Sequence, residues 1–237
     1  MQTAAKFISE LEKYANPETA ANSQRFFKTG AGQYGEGDVF IGVTMPQVRA
    51  VCREFKQLPL AEVAKLCESD IHEYRMAGLV VLTLQYPRAE GLQKQEIFNL
   101  YIDQIEKGNV NNWDLVDVTC RAVVGEHLHG TDRSLLYDYA HSDDLWKKRI
   151  SIIATFPYIA SGDPSTSLEL AEILVNDPHD LIQKAVGWTL REIGKRCDEQ
   201  LLHQFLDEYA STMPRTALRY AIERLPEQVR RGYLKRA

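Results

Sequence analysis

The chain lacks the marks of several protein classes. No apolar run approaches the roughly twenty residues that a helical bilayer span requires, which argues against an integral helical membrane protein. Cysteine is sparse, and Cys52, Cys67, Cys120 and Cys197 lie far apart with no CxxC pair. That spacing argues against a structural zinc site and a disulfide scaffold, and it fits a reducing compartment. The histidines (His72, His127, His129, His141, His179, His203) form no HExxH and no metal-ligand cluster, so no metal is expected. GxSxG and a dinucleotide fingerprint are also missing, which removes the support for elbow-type acyl transfer and Rossmann cofactor chemistry, and no cofactor is expected. Strand-like alternation is nearly absent. The net charge of −5 argues against a surface coated in basic residues. The opening Met1-Gln2-Thr3-Ala4-Ala5-Lys6 has no basic stretch followed by an apolar core, so no secretory signal and a cytoplasmic location are expected.

What is present is helical periodicity. The chain has 237 residues, 44% of them apolar, and at this size about 72% of the unfolded surface is removed from water on folding, enough for one large core or a continuous repeat core. The i, i+3, i+4, i+7 spacing recurs almost throughout, as in Phe7, Leu11, Tyr14 or Leu168, Ala171, Leu174, Val175. Polar caps mark helix starts at Asn16-Pro17, Thr44-Met45-Pro46-Gln47, Ser142-Asp143-Asp144 and Asp163-Pro164. About twelve to fourteen helices joined by short turns are predicted.

Four segments resemble one another: Glu73 to Val80, Lys147 to Ala154, Gln183 to Leu190 and Pro214 to Ala221. Each opens a helix rich in apolar and small residues with a basic residue. Arg75 and Arg149 are 74 positions apart, two periods of 37, and the next steps are 35 and 31. The skipped position falls at Asn112-Trp113-Asp114-Leu115-Val116, itself a helix start. A period in the thirties with two helices per unit predicts an all-α, HEAT-like solenoid, a superhelix of stacked antiparallel helix pairs. One repeat domain over 1–237 is expected: N-terminal helices and a glycine-rich loop at 30–42 within 1–43, then repeats over 44–237.

Two readings of the repeated cations stand open. Stacked second helices would line a concave face, where the cations and helix N-termini suit a polyanion such as a nucleic-acid backbone. Alternatively, each cation pairs with a carboxylate of a neighbouring repeat. Residues 180–237 carry 11 Lys and Arg against 8 Asp and Glu, so positive charge is concentrated toward the C-terminus. The segment Gly30 to Gly42 carries no GK[ST] and follows no strand, so a flexible loop between N-terminal helices is expected, and a mobile DNA-facing element is the alternative.

Asn111-Asn112-Trp113-Asp114-Leu115-Val116-Asp117 is the best candidate for chemistry. Trp113 and Asp117 are four apart and share a helix face, whereas Asp114 is rotated away in the first turn, where a carboxylate suits the helix dipole. Val116, Cys120, Val123 and Val124 set Asp117 beside an apolar stripe. Trp188 lies on a later inner helix between Lys184 and Arg191. A purely structural role competes: tryptophans in helical repeats fill cores, and Asp117 can bind backbone or an arginine such as Arg121 or Arg149.

Three strings in register, Trp113-Asp114-Leu115-Val116-Asp117, Ser142 to Arg149 and Ile182 to Glu192, resemble the AlkD family of DNA alkylation-repair glycosylases. Ile41 to Pro46 and the tail around Pro214-Arg215 extend the resemblance over most of the chain. It implies a HEAT-like solenoid acting as a monomer on double-stranded DNA that contains alkylated purines, releasing the cationic N3- and N7-alkylated bases without a metal or a membrane. It places the catalytic aspartate on Asp117, the tryptophans bracketing the lesion's deoxyribose on Trp113 and Trp188, and a backbone-holding arginine on Arg149. An aromatic position that is tyrosine in the family falls on Phe26, which has no hydroxyl for a phosphate. Lys184 and Arg191, then Lys148, Arg215 and Arg219, complete the expected DNA contacts.

A cationic base leaves as a neutral molecule and needs no proton donor. Catalysis then rests on stabilising positive charge that develops on the sugar, the work expected of Asp117 and, through cation–π contacts, of the two indoles. The competing class is a non-catalytic helical-repeat scaffold that binds DNA or protein.

Overall fold

The computed structural model describes residues 2–236. Its regular structure is helical; among the described residues the only extended pairing is a single bridge between Val39 and Ile71. The chain divides into two compact units, Met1–Val124 and Gly125–Ala237. The first contains α1 (Ala4–Glu12), α2 (Pro17–Phe26), α3 (Met45–Glu54), α4 (Leu60–Cys67), α5 (His72–Gln85), α6 (Gly91–Glu106) and α7 (Trp113–Cys120). A π-helical turn, Arg121–Gly125, continues α7. The second contains α8 (Glu126–Leu128), α9 (Ser134–Ala140), α10 (Leu145–Ile153), α11 (Phe156–Ala160), α12 (Ser165–Leu174), α13 (Asp180–Arg196), α14 (Glu199–Tyr209), α15 (Arg215–Ala221) and α16 (Glu227–Leu234).

Cap chemistry fixes several of these starts. Asn16 Oδ1 accepts the Thr19 N–H at 2.9 Å with Pro17 at the first helical position, and Thr44 and Gln47 form a reciprocal capping box. Asp144 accepts the N–H groups of Trp146 and Lys147 at 2.7 and 2.9 Å. These are the caps expected from sequence.

Each unit is organised around one central helix. In α5, every residue from His72 to Leu82 is buried, so its apolar surface is wrapped by α3, α4, α6 and α7. In the second unit α13 plays that part against α10, α11, α12, α14 and α15. Helix pair packs on helix pair within each unit, the layering of an α-solenoid. The small residues of the repeated segments permit it: a Cβ on Gly78 would lie 2.5 Å from Cys67 Sγ of α4, and one on Gly187 would lie 2.3 Å from the Ala217 carbonyl of α15.

Candidate functional site

The N-terminal turn of α7 rests on a buried charge network. His72, at the head of α5, places Nδ1 3.0 Å from Asp38 Oδ2 and Nε2 2.9 Å from Asp114 Oδ2. Both partners are carboxylate acceptors, so the ring satisfies both only by donating from both nitrogens, as an imidazolium. Burial pulls His72 toward neutrality, but the hydrogen bonds and charges of Asp114 and Asp38 outweigh it and raise its pKa to about 9. Burial would likewise raise Asp38, yet His72, the Arg75 guanidinium and Asn112 hold it below its ordinary value. Arg75 donates to Asp38 and, at 3.1 Å, to Asn111 Oδ1; Asn112 Nδ2 reaches Asp38 at 3.1 Å. Asn112 Oδ1 also caps α7 through the Trp113 N–H at 2.9 Å. Asp38 and Asp114, 5% and 8% exposed, are therefore paired and not stranded.

The same contacts correct the expectation for the glycine-rich segment. Its end is pinned to α5 and is no loose connector: Asp38 is in the network, and the Val39 carbonyl accepts the His72 N–H at 2.9 Å. Glu73 collects the N–H groups of Ile41, Gly42 and Val43, the best at 2.8 Å from Gly42. Gly42 sits at φ +80°, and a Cβ there would lie 2.0 Å from the Asn16 carbonyl.

Above this foundation stands an aromatic column. His72 stacks on Phe40 at 4.5 Å, Phe40 on Phe27 at 5.1 Å, and Phe27 on Trp113 at 5.4 Å. Phe26, 65% exposed, meets the Trp113 ring edge-on at 5.9 Å. Trp113 and Asp117 are both half-buried, one turn apart on α7. The Arg121 guanidinium donates to the Asp117 main-chain carbonyl at 2.9 and 3.1 Å at the start of the π turn, the kind of helix irregularity that is frequent at functional sites. Within the first unit, the structure thus brings Phe26, Trp113 and Asp117 together.

In the second unit Trp188 is half-buried against Phe156, with ring centroids 4.8 Å apart. The cations there are heavily engaged. Arg149 is 5% exposed and donates to the Leu181 carbonyl at the head of α13. Lys148 pairs with Asp177 at 2.9 Å and Lys184 with Asp180 at 2.6 Å; Arg191 pairs with Glu223. Arg215 donates to the Leu234 carbonyl at 3.2 Å, and Arg219 is exposed. Arg75 and Arg149 each reach the approach to the next inner helix: Arg75 meets the Asp38 carboxylate, as the pairing reading of the repeats expects, and Arg149 donates to the Leu181 carbonyl.

The Asp38–His72–Asp114–Arg75 network escaped the sequence reading. Asp114 looked like a helix-dipole residue and His72 like an isolated histidine. The available signal was that His72, Glu73 and Arg75 head a helix with no polar face, so they had to be buried and hence paired. Among the described residues no group of three or more His, Cys, Asp or Glu side chains is placed to hold a metal ion. No helix there is long and apolar enough to cross a membrane.

Helix pairs around a cradled Trp–Asp turn define the class, and comparison supplies the family. The family model described as DNA alkylation repair enzyme matches residues 7–225, and the chain belongs to that family of DNA-repair enzymes. A solved structure described as a predicted DNA alkylation repair enzyme from Enterococcus faecalis is similar, with a TM-score of 0.69 at 18% identity over 90% of this chain and 97% of that one. No curated protein matches the chain.

Proposed function

We propose that the protein is a DNA glycosylase that hydrolyses the N-glycosidic bond of N3- and N7-alkylated purines, such as 3-methyladenine and 7-methylguanine, in duplex DNA. The observation that carries this reading is the half-buried Trp113–Asp117 turn of α7, held from beneath by a charge network and flanked by Phe26 and Phe27. In this reading, Asp117 stabilises the positive charge that grows on the deoxyribose as the neutral base departs, and it orients the attacking water. Trp113 offers an electron-rich face to the same charge. Phe27 stacked behind the indole keeps that face from turning, so its orientation costs little at the moment of reaction. Trp188 acts as the second indole. Lys148, Arg149, Lys184, Arg191, Arg215 and Arg219 hold the DNA backbone, several of them exchanging an intramolecular partner for a phosphate. Selectivity comes from the lability of the cationic lesion, with no closed base pocket required.

The test is release of 7-methylguanine from methylated duplex DNA by the wild type and by Asp117→Asn. The variant is expected to lose about 10²–10³-fold in single-turnover rate while duplex affinity persists. Equal rates would overturn the mechanism. Duplex binding without release by the wild type would instead identify a scaffold.

A further inference from the structure

The two residues that flank Trp113 are tied to the same buried cluster. Asn112, before it, donates from Nδ2 to Asp38 at 3.1 Å and caps the helix through the Trp113 N–H at 2.9 Å. Asp114, after it, accepts from His72 Nε2 at 2.9 Å with one oxygen and from the Leu115 N–H at 2.8 Å with the other. His72 Nδ1 closes the circuit on Asp38 at 3.0 Å. The indole itself lies on Phe27, whose ring centroid is 5.2 Å from that of His72. Trp113 is thus clamped through its backbone and through its ring, and His72 touches both arms of the clamp.

The clamp falls where α7 is weakest. This helix has eight residues, and its first turn, short of intrahelical partners, is the part most prone to fray. Asp117 stands one turn further on, so a tilt of the first turn moves Trp113 and Asp117 together. A misplacement of about 1 Å at reacting groups costs on the order of 10²-fold in rate. The hold also depends on charge, because a neutral imidazole donates from one nitrogen only and turns a lone pair toward the other carboxylate. Asp38 keeps Arg75 and Asn112 as donors, but His72 is the one cationic partner of Asp114 among the described residues. Loss of the proton therefore releases the α7 arm. The charged groups facing His72 are Asp114 from α7, Asp38 from the segment before α3, and Arg75 of α5 itself, already bound to Asp38. Glu73 is taken by the N–H groups of Ile41, Gly42 and Val43, and Glu68 and Lys107, just past the ends of α4 and α6, pair with each other at 2.8 Å. From α3 the approach is apolar, with Cys52 Sγ 3.6 Å from the Ala77 carbonyl of α5.

We propose, resting on the glycosylase reading, that His72 is a positioning residue for base excision: its imidazolium holds the first turn of α7 so that Trp113 and Asp117 face the deoxyribose. The experiment measures single-turnover release of 7-methylguanine from methylated duplex at saturating enzyme, from about pH 6.5 to 10, less the enzyme-free rate at each pH. Duplex affinity and circular dichroism are recorded at the same points. Three proteins are compared: the wild type, His72→Gln, and His72→Gln/Asp114→Asn. The double variant removes one charge of each sign and lets one side-chain amide donate to the other, so the tie is kept with no proton to lose.

The wild-type rate is expected to stay level while His72 is charged and to fall as pH passes through about 9, reaching about a tenth of its plateau at pH 10. His72→Gln is expected to be about 10–100-fold slower at neutral pH with wild-type duplex affinity, and to lack that fall. The double variant is expected to recover to within about threefold of the wild type, again without the fall. A wild-type rate in folded His72→Gln overturns the positioning role, as does a double variant no faster than the single one. So does a loss of rate that more enzyme restores, which marks a binding defect, or a fall near pH 9 shared by all three proteins. If His72→Gln does not fold, the wild-type profile decides, and a rate that stays level to pH 10 overturns the role. A wild type that releases no base at any pH overturns the glycosylase reading itself, a distinct outcome.

Discussion

Replacing His72 by glutamine tests the foundation of the site most directly. The folded protein raises the imidazole pKa from 6.5 to about 9. Each unit is worth about 1.36 kcal/mol, so protonated His72 contributes about 3 kcal/mol to stability. Because the folded-state value is the higher one, this contribution is complete below pH 6.5 and disappears as pH rises through 9. Between pH 7 and pH 10 the wild type should lose about 2–3 kcal/mol from this group. Glutamine keeps an amide donor for one carboxylate but carries no charge, so the variant should be less stable by about 3 kcal/mol at pH 6.5, consistent with breaking a buried pair. Urea unfolding followed by far-ultraviolet circular dichroism at pH 6.5, 7.5, 8.5 and 9.5 gives both curves. Tyrosines and lysines also titrate at the upper end, but they are shared by the two proteins and cancel in the difference. A gap between wild type and His72→Gln that stays constant from pH 6.5 to 9.5 would refute the doubly bonded imidazolium.

Two further substitutions probe the same foundation. Gly42→Ala forces a side chain into the left-handed region and against the Asn16 carbonyl; a loss of about 3 kcal/mol or more is expected from combined strain and overpacking, read from the urea midpoint. Glu73→Gln turns an acceptor of three backbone N–H groups into a group that also donates. A loss of about 2 kcal/mol is expected by the same measurement, the scale of hydrogen bonds to a charged group.

The sequence carried the fold well because the signals for it are local. Asn16, Thr44 and Asp144 announce their helices within three residues, and the repeat period survives the skipped unit at Asn112. Trp113 and Asp117 were legible for the same reason, being one helical turn apart. The supporting network was not, because its members meet across long separations: Asp38 and Asn112 are 74 positions apart, and His72 and Asp114 are 42 apart. No spacing rule relates such pairs. Arg75 and Arg149 show the opposite difficulty. Their recurrence was plain, but a cation reaching outward and one tying down the next helix leave the same mark in a sequence.

The four ionic members of the network carry formal charges that cancel: two carboxylates, an imidazolium and a guanidinium, all buried together. No single member can be exchanged for a neutral residue without leaving an odd charge in a water-poor interior. Drift at this site is therefore constrained to compensated steps. A relative that has lost Asp38 should also have lost Arg75 or His72, and the order in which such pairs disappear from related chains would trace how the Trp113 helix came to be supported.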